Sequence, residues 1–381
     1  MKIAIITDVL GEENNGTTIT TKRLIENMRK RNHQVLVVSP SKVKDDDYYQ
    51  LKKRNFFCFN KYIEKNGVCL AIPDEKILRE VISKADVVHI MLPFKTGRAA
   101  IKIANELNKP VTTAFHAPAE AITSHLGMKN FKFANEFIYK DFYKNFYKYT
   151  NFVHCPSAFI ADLIRPRGYN MDLRIISNGV TEMFKKIDAK KPEELKEKFL
   201  VLFVGRLSKE KRHDLVIKAV ANSKYKDNIQ LIFAGDGPLK KSLEKMGSKL
   251  PNPPIMQFYK KDKLVEVINY SDLYVHASDI ESEAIACLEA ISCGKAPIIS
   301  DSKRSATKSF ALTEDNLFKA GDYKDLTKKI DYYYENPDKI KEMEKKYDSY
   351  TEQFKIEKSM DEMEKMFYDA INYKEKQLKG E

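Results

Sequence analysis

Two charged clusters in the second half of the chain have the residue types and spacing of a site for an anionic, hydroxyl-rich ligand. In LVLFVGRLSKEKRHDLVIKAV an apolar run ends at Gly205, Arg206 follows, and Lys211 stands where the next helical pattern opens. A glycine at 205 allows close backbone approach. The two cations flank a strand-to-helix turn, where amide N–H groups already favour an anion. Together they match the roughly two negative charges of a sugar nucleotide's diphosphate. Taken alone, a solvated basic turn in a Lys- and Arg-rich chain is the plainer alternative. No GxxxxGK[ST] phosphate loop occurs anywhere in the chain.

The second cluster is DIESEAIACLEAISCGKAPIIS, with Glu281 just before a helical pattern and Glu289 inside it. Eight helical residues turn the second side chain only about 80° from the first. A loop-held and a helix-held carboxylate can therefore address two ends of one ligand. Each accepts from vicinal hydroxyls, which suits a ribose at one point and a sugar ring at the other. Carboxylates near a diphosphate make sense only with cations such as Arg206 and Lys211 opposite them. Helix-dipole preference explains Glu281 and Glu283 tolerably. It explains poorly a Glu289 within an apolar, buried helix.

The elements that position these residues alternate. β-Branched runs (Ile3–Thr7, Gln34–Val38, Asp86–Ile90, Val111–Phe115, Phe152–Cys155) are interleaved with helical patterns such as Thr18–Arg31 and Thr96–Leu107. Alternation of this kind predicts a mostly parallel sheet with helices on both faces. It lapses over 179–198, a charged stretch containing Pro192 that reads as a linker, and restarts at Leu200–Val204. The fold class is thus α/β with two doubly wound units. Their domains are expected at 1–178 and 199–350, with 351–381 a helix packing back on the first. Ligands of such sheets bind beyond the carboxyl ends of the strands, which predicts a site in a cleft between two facing units.

Composition narrows the function classes. At 381 residues, two or three domains are expected. The net charge of +12 calls for an anionic partner: nucleic acid, a phosphorylated small molecule or an acidic membrane. Five scattered cysteines without a CxxC argue against a disulfide framework or zinc and for a reducing cytosol. No apolar run reaches the roughly 18 residues that span a bilayer. Asp8 interrupts the first apolar stretch, so it reads as a buried strand rather than a signal peptide.

The order GRLSKEK, FAGDGPL and SDIESEAIACLEAISCG, preceded by NNGTT, TAFHAP, HCPSAFIADLI and IISNGV, resembles the family-4 retaining glycosyltransferases of GT-B fold. The resemblance covers nearly the whole chain and extends to bacterial diacylglycerol glucosyltransferases. It implies that Arg206 and Lys211 bind the donor diphosphate, Glu289 the ribose and Glu281 the transferred sugar. Gly16 and Thr17, in the Gly-Thr loop, would let the first domain approach donor or acceptor. His116 would lie beside the reacting sugar carbon; a strand-end core histidine is the plainer reading of a lone His. Gly205, Gly235, Ala284 and Ile285 complete the implied donor site, and Arg206, Lys211, Glu281 and His116 the implied catalytic set. Implied too are a metal-independent reaction and no cofactor, the sugar nucleotide (UDP-glucose first) being the substrate. The Asp45–Asp47 run lies in a charged loop and does not read as a metal motif. Two departures leave donor preference open: Ala284 stands where many relatives have Gly, and SDSKRSATKSF replaces a Gly-containing turn.

Ten Phe and Tyr residues between 131 and 152 point to the acceptor. Read as one helix, Tyr139, Tyr143 and Tyr147 form a stripe beside Lys140, Lys144 and Lys148. A Tyr border and a Lys row describe an interfacial helix on an anionic bilayer. RNFFCFNKY, residues 54–62, is a second aromatic-basic patch. An amphipathic helix packed on its own sheet is the plainer alternative. Aromatic-lysine interleaving also suits single-stranded nucleic acid, but no RRM or KH signature occurs, and no nucleic-acid partner is expected. The expectation is hexosyl transfer to a membrane lipid such as diacylglycerol, at the cytoplasmic face of the plasma membrane. A soluble or polyprenyl-linked acceptor in envelope polysaccharide synthesis is the alternative. An inactive GT-B binding module is the remote one, separated by a donor-turnover assay.

Overall fold

The β-branched runs form parallel strands, since only a sheet covered by helices on both faces buries such strands completely. The structure is a computed structural model and describes residues 1–10, 16–55, 70–124 and 130–380. Met1–Asn178 together with Glu357–Glu381 form one unit, and Gly179–Ile356 the other.

The strands of the first unit are β1 (Lys2–Ile6), β2 (Gln34–Ser39), β3 (Tyr48–Gln50), β4 (Lys52–Lys53), β5 (Ala71–Ile72), β6 (Val87–Ile90), β7 (Val111–Ala114), β8 (Phe152–Cys155) and β9 (Asp172–Ile175). A seven-stranded sheet has the order β3-β2-β1-β6-β7-β8-β9. Its strands pair in parallel, for example Ile3 opposite both Val35 and Val87. Among the described residues its helices are α1 (Gly16–Lys30), α2 (Glu75–Lys84), α3 (Lys95–Glu106), α4 (Ala119–Ser124), α5 (Lys132–Asn145) and α6 (Ala158–Ile164).

The second unit carries β10 (Phe199–Val204), β11 (Ile229–Ala234), β12 (Ile255–Gln257), β13 (Leu273–His276), β14 (Pro297–Ser300) and β15 (Leu317–Phe318). They form a six-stranded sheet of order β12-β11-β10-β13-β14-β15. Its helices are α7 (His213–Ala221), α8 (Lys240–Gly247), α9 (Lys261–Tyr270), α10 (Ile285–Ser292), α11 (Tyr323–Glu335) and α12 (Pro337–Lys346). In each sheet the strand order reverses once, between β1 and β6 and between β10 and β13. Such a switch point is where doubly wound sheets bind ligands.

The segment 179–198, expected as a linker, is instead part of the second unit. Phe184 and Leu195 are buried in its core, and Lys191 pairs with Asp272 at 2.6 Å. Two apolar anchors in a charged stretch suffice to dock it. The last helix, α13 (Ile356–Lys379), returns to the first unit. Its Glu364 accepts from Arg31 and His33 at 3.0 and 2.8 Å. Asp369 accepts from Arg174 at 2.9 Å. Phe367, fully buried, meets the His89 ring edge-on at 5.4 Å.

Candidate active site

The switch point of the second sheet gathers most of the residues singled out from the sequence. After β10 the chain passes Gly205 and Arg206 into a short 3-10 turn, Lys209–Lys211, ended by Arg212 at φ +58°. The helical pattern starting at Lys211 therefore yields a helix only from His213. A left-handed residue interrupts it and leaves Lys211 on the loop. Arg206 donates to Glu210 Oε1 at 2.9 Å, and Ser208 Oγ donates to the same oxygen at 2.5 Å. Burial alone would raise the Glu210 carboxyl, but Arg206 and the Ser208 hydroxyl outweigh it and hold it low.

The loop after β13 meets this turn directly. Lys211 Nζ lies 2.5 Å from Glu281 Oε1, and His276 Nε2 lies 3.0 Å from the same oxygen. Tyr274 Oη is 3.1 Å from His276 Nδ1. Burial works to raise the Glu281 carboxyl; the Lys211 ammonium and the His276 hydrogen bond overcome it and hold the group well below the usual carboxylate range. Burial likewise keeps His276 neutral, against the pull of Glu281. The loop backbone is stitched on both sides. Asp279 N–H donates to Glu210 O at 2.8 Å and Arg212 pairs with the Asp279 carboxylate at 3.3 Å. From the segment after β14, Ser302 Oγ donates to Asp279 O at 2.7 Å and Ala306 N–H to Glu281 O at 2.9 Å. The stretch SDSKRSATKSF, read as a departure, thus holds Glu281 in place.

Gly235 is required by close packing: a Cβ there would lie 2.1 Å from Gly205 O. Its role is to seat the loop after β11 against the Gly205–Arg206 backbone. Gly205 is less constrained, since a Cβ would meet only Phe203 and the Lys211 stem at ordinary distances. Ala284 takes φ +71°, ψ +60° at the start of α10. That conformation suits glycine and costs an L-residue about 1–2 kcal/mol. Ile285 opens the helix and Glu289 follows one turn later, buried. Burial first, then Cys287, Glu281 and Glu289, push the Tyr274 phenol well above its ordinary range, so both carboxylates act on this ring.

Gly16, Thr17 and His116 belong to the first unit. Gly16 is the exposed first residue of α1, and a methyl group added there would meet nothing within 4 Å. Thr17 O accepts from Thr21 Oγ1 at 2.8 Å. His116 follows β7 half-buried, its ring edge-on to His154 at 5.2 Å. Burial, then His154 and His89, hold it neutral. Asn14 and Asn15 of the Gly-Thr loop lie outside the described residues. Sequence reasoning missed Tyr274 and His276. Their signal was the i, i+2 spacing on one strand, which puts both on the same face, with an acid five residues on.

The aromatic stretch 131–152 departs from expectation. α5 ends at Asn145 and Tyr147 lies on a following 3-10 turn, so the stripe is broken. Tyr139 and Tyr147 are core residues. Tyr139 Oη donates to Glu120 at 2.5 Å and Tyr147 Oη to Ala114 O at 3.0 Å. Their hydroxyls find acceptors at the half-buried Glu120 and the Ala114 carbonyl, so the rings follow their apolar bodies inward. The exposed aromatics are Phe131, Phe133 and Phe137, at 64%, 83% and 65% exposure, and Tyr149 at 49%. Lys140, Lys144 and Lys148 are exposed, as read from the sequence. Of the 54–62 patch, residues 56–62 lie outside the described residues. Asp45 pairs with Arg29 at 2.6 Å and Asp47 accepts from Gln34 at 3.0 Å, which gives this acidic run a structural role.

Two family models divide the chain between them: "Glycosyltransferase Family 4" matches residues 14–182 and "Glycosyl transferases group 1" residues 184–354. The chain is similar to the alpha-monoglucosyldiacylglycerol synthases of Streptococcus pneumoniae (24% identical, 78% of this chain and 70% of that one) and Acholeplasma laidlawii (24%, 99% of each). It is equally similar to a GDP-mannose-dependent alpha-mannosyltransferase of Corynebacterium glutamicum (24%, 77% and 71%). Among solved structures, Anabaena HepE in complex with UDP and glucose superposes with a TM-score of 0.73, at 15% identity over 97% of this chain and 100% of that one. The fold is GT-B, two Rossmann-like domains with parallel sheets. The chain belongs to the family-4 glycosyltransferases and is a glycosyltransferase.

Proposed function

We propose that this protein is a retaining, metal-independent hexosyltransferase that moves glucose from UDP-glucose to a membrane lipid acceptor of the diacylglycerol kind. The observation that carries the reading is the second unit's switch point, where Arg206 and Lys211 stand with Glu281 between β10 and β13. Two cations there would neutralise the departing diphosphate, the main electrostatic demand of glycosyl transfer. Glu281 would grip the hexose hydroxyls and Glu289 the ribose. The acceptor hydroxyl would attack on the leaving-group face, a β-phosphate oxygen taking its proton, so the protein contributes positioning and charge. His116, neutral, would donate or accept a hydrogen bond beside the sugar without adding charge.

The lipid acceptor draws support from the two diacylglycerol-glucosylating relatives and from the surface of α5. Among the described residues no helix is long and apolar enough to cross a membrane. Peripheral docking at the cytoplasmic face would be carried by the exposed Phe131, Phe133 and Phe137 with the lysines of α5. Aromatic side chains insert at the headgroup level, and each lysine near an anionic leaflet is worth about 1 kcal/mol.

The test is transfer from radiolabelled UDP-glucose and GDP-mannose to diacylglycerol in anionic vesicles, with and without EDTA. The expected outcome is an α-glucolipid formed from UDP-glucose in both. Transfer only to a soluble or polyprenyl-linked acceptor, abolition by EDTA, or an inverted product would each overturn the corresponding element. Replacing Lys140, Lys144 and Lys148 together by Glu should reduce vesicle co-sedimentation sharply at low salt while leaving UDP affinity unchanged. Equal sedimentation with matching melts would remove the membrane from this surface.

A further inference from the structure

We infer that His276, itself held by Tyr274, is a positioning residue that fixes the rotamer of Glu281, so that Oε1 is taken up within the protein and Oε2 is the oxygen offered to the donor sugar. The inference rests on the proposed role of Glu281 and adds residues to which that role assigns nothing.

The hydrogen-bond directions follow from chemistry. An ionised carboxylate only accepts, so His276 Nε2, 3.0 Å from Glu281 Oε1, carries the proton. A neutral imidazole then presents a lone pair at Nδ1, and Tyr274 Oη, 3.1 Å away, donates to it. The relay runs one way, from phenol to imidazole to carboxylate. Tyr274 and His276 are both fully buried. Water is therefore excluded as a substitute for either donor.

Two features separate this from ordinary core packing. β13 is otherwise Leu and Val in a sheet covered on both faces, where an apolar residue at 276 would bury more cheaply than an imidazole needing two partners. The second concerns Lys211, which shares Glu281 Oε1 at 2.5 Å. Lys211 ends a flexible four-carbon stem and, in the proposed reaction, is drawn toward the diphosphate. His276 sits on a strand and stays. It is the contact that keeps Glu281 in place when Lys211 turns to the donor. The loop backbone is already pinned through Asp279 and Ala306, so the remaining freedom of Glu281 is its side chain.

The experiment has two arms on the full-length chain. In the first, ¹⁵N-histidine NMR at neutral pH, with His276→Gln to assign the resonance, should show a neutral ring protonated at Nε2. The signal should move in Glu281→Gln. A ring protonated at Nδ1, or one indifferent to Glu281→Gln, overturns the relay whatever the donor is. In the second, UDP-glucose turnover and UDP affinity are measured for His276→Leu, His276→Gln, Tyr274→Phe, Glu281→Gln and the His276→Leu/Glu281→Gln double variant. His276→Leu should slow turnover by about tenfold to a hundredfold, the scale of a lost hydrogen bond to a charged group, with UDP affinity changed less than about twofold. His276→Gln, which retains an N–H donor, should restore part of the rate, and Tyr274→Phe should lie between. The double variant should be no slower than Glu281→Gln alone, as two residues acting through one contact are not additive. A merely structural His276 would instead lower UDP affinity and melting temperature together and multiply with Glu281→Gln. If Glu281→Gln leaves turnover intact, the proposed sugar-binding role itself is wrong. If Glu281→Gln slows turnover and His276→Leu does not, the relay alone is overturned.

Discussion

The two sheets share a topology and differ at their switch points. Beyond β10 and β13 stand fixed charges in contact: Arg206 with Glu210, Lys211 with Glu281, Arg212 with Asp279. Beyond β1, Asp8 is buried, and burial pushes its carboxyl up to about 6 against the Thr96 hydrogen bond. The nearby strand ends of the first unit carry His89, His116 and His154, all held neutral mainly by burial. One edge carries preset pairs of opposite charge on its loops; the other carries the buried Asp8 carboxyl and neutral imidazoles. The same fold therefore supplies two chemically different strand-end edges. In the second unit the difference lies in the loops, with Arg206, Glu210, Lys211 and Glu281 beyond the strands; in the first it lies partly in the strands themselves, since His89 belongs to β6 and His154 to β8.

The strongest way to break the contrast is to remove the charges. Lys211→Ala and Arg206→Ala should each weaken UDP binding by about 1.5–3 kcal/mol, the scale of a charge-assisted hydrogen bond. Lys211→Ala should also lower thermal stability, since it strips Glu281 of a buried counter-ion. Unchanged affinity in calorimetry for both would move the donor site elsewhere.

Glycines test how tightly each edge is packed. Gly235→Ala drives a methyl into Gly205 O and should cost about 1–3 kcal/mol, the range of overpacking. Gly16→Ala meets nothing within 4 Å and should leave the melting temperature nearly unchanged. Similar melts for the two variants would mean that the loop after β11 yields freely.

Acid should strain both units through their neutral histidines. His89 and His213 are lowered to about 3, chiefly by burial. Between that value and the ordinary 6.5 the unfolded chain binds protons that the folded one does not. Stability is therefore retained above pH 6.5 and lost as pH falls, by about 2 kcal/mol per residue at pH 5. Neither ring nitrogen of His213 has a hydrogen-bond partner among the described residues. His213→Leu should accordingly flatten the melting temperature between pH 7 and pH 5. An unaltered pH dependence would show that His213 is not among the groups responsible.

The smallest effect is expected at Ala284→Gly. Relief of the left-handed conformation, less the added chain entropy of glycine, should stabilise by roughly 0.5 kcal/mol. UDP-glucose affinity should not fall. A tenfold gain in affinity would instead mean that the Ala284 methyl crowds the sugar.

Much of the second unit's charged edge is legible in the sequence. Arg206, Lys211 and Glu281 stand out because a glycine, two cations and a carboxylate next to strand–helix junctions have few structural uses together. The two-unit α/β architecture follows from alternation of apolar runs with helical periods. The return of the last helix to the first unit, expected for 351–381, is made by α13 from Ile356, and no local pattern dictates it. Over 131–152 the periodicity misleads in part, because it locates an apolar face but not the acceptors Glu120 and Ala114 O that draw Tyr139 and Tyr147 inward.

What the sequence determined by itself is local: strand and helix periods, glycines at tight approaches, and the charge placed at each strand end. These depend on neighbours a few residues away. The tertiary structure alone decided that Glu281 is shared by Lys211, 70 residues earlier, and His276, and that the segment after β14 pins its loop. It also decided which three phenylalanines face outward. Contacts of that kind are set by the register of strands distant in sequence and by the competition of side chains for one buried volume, neither of which a local pattern encodes.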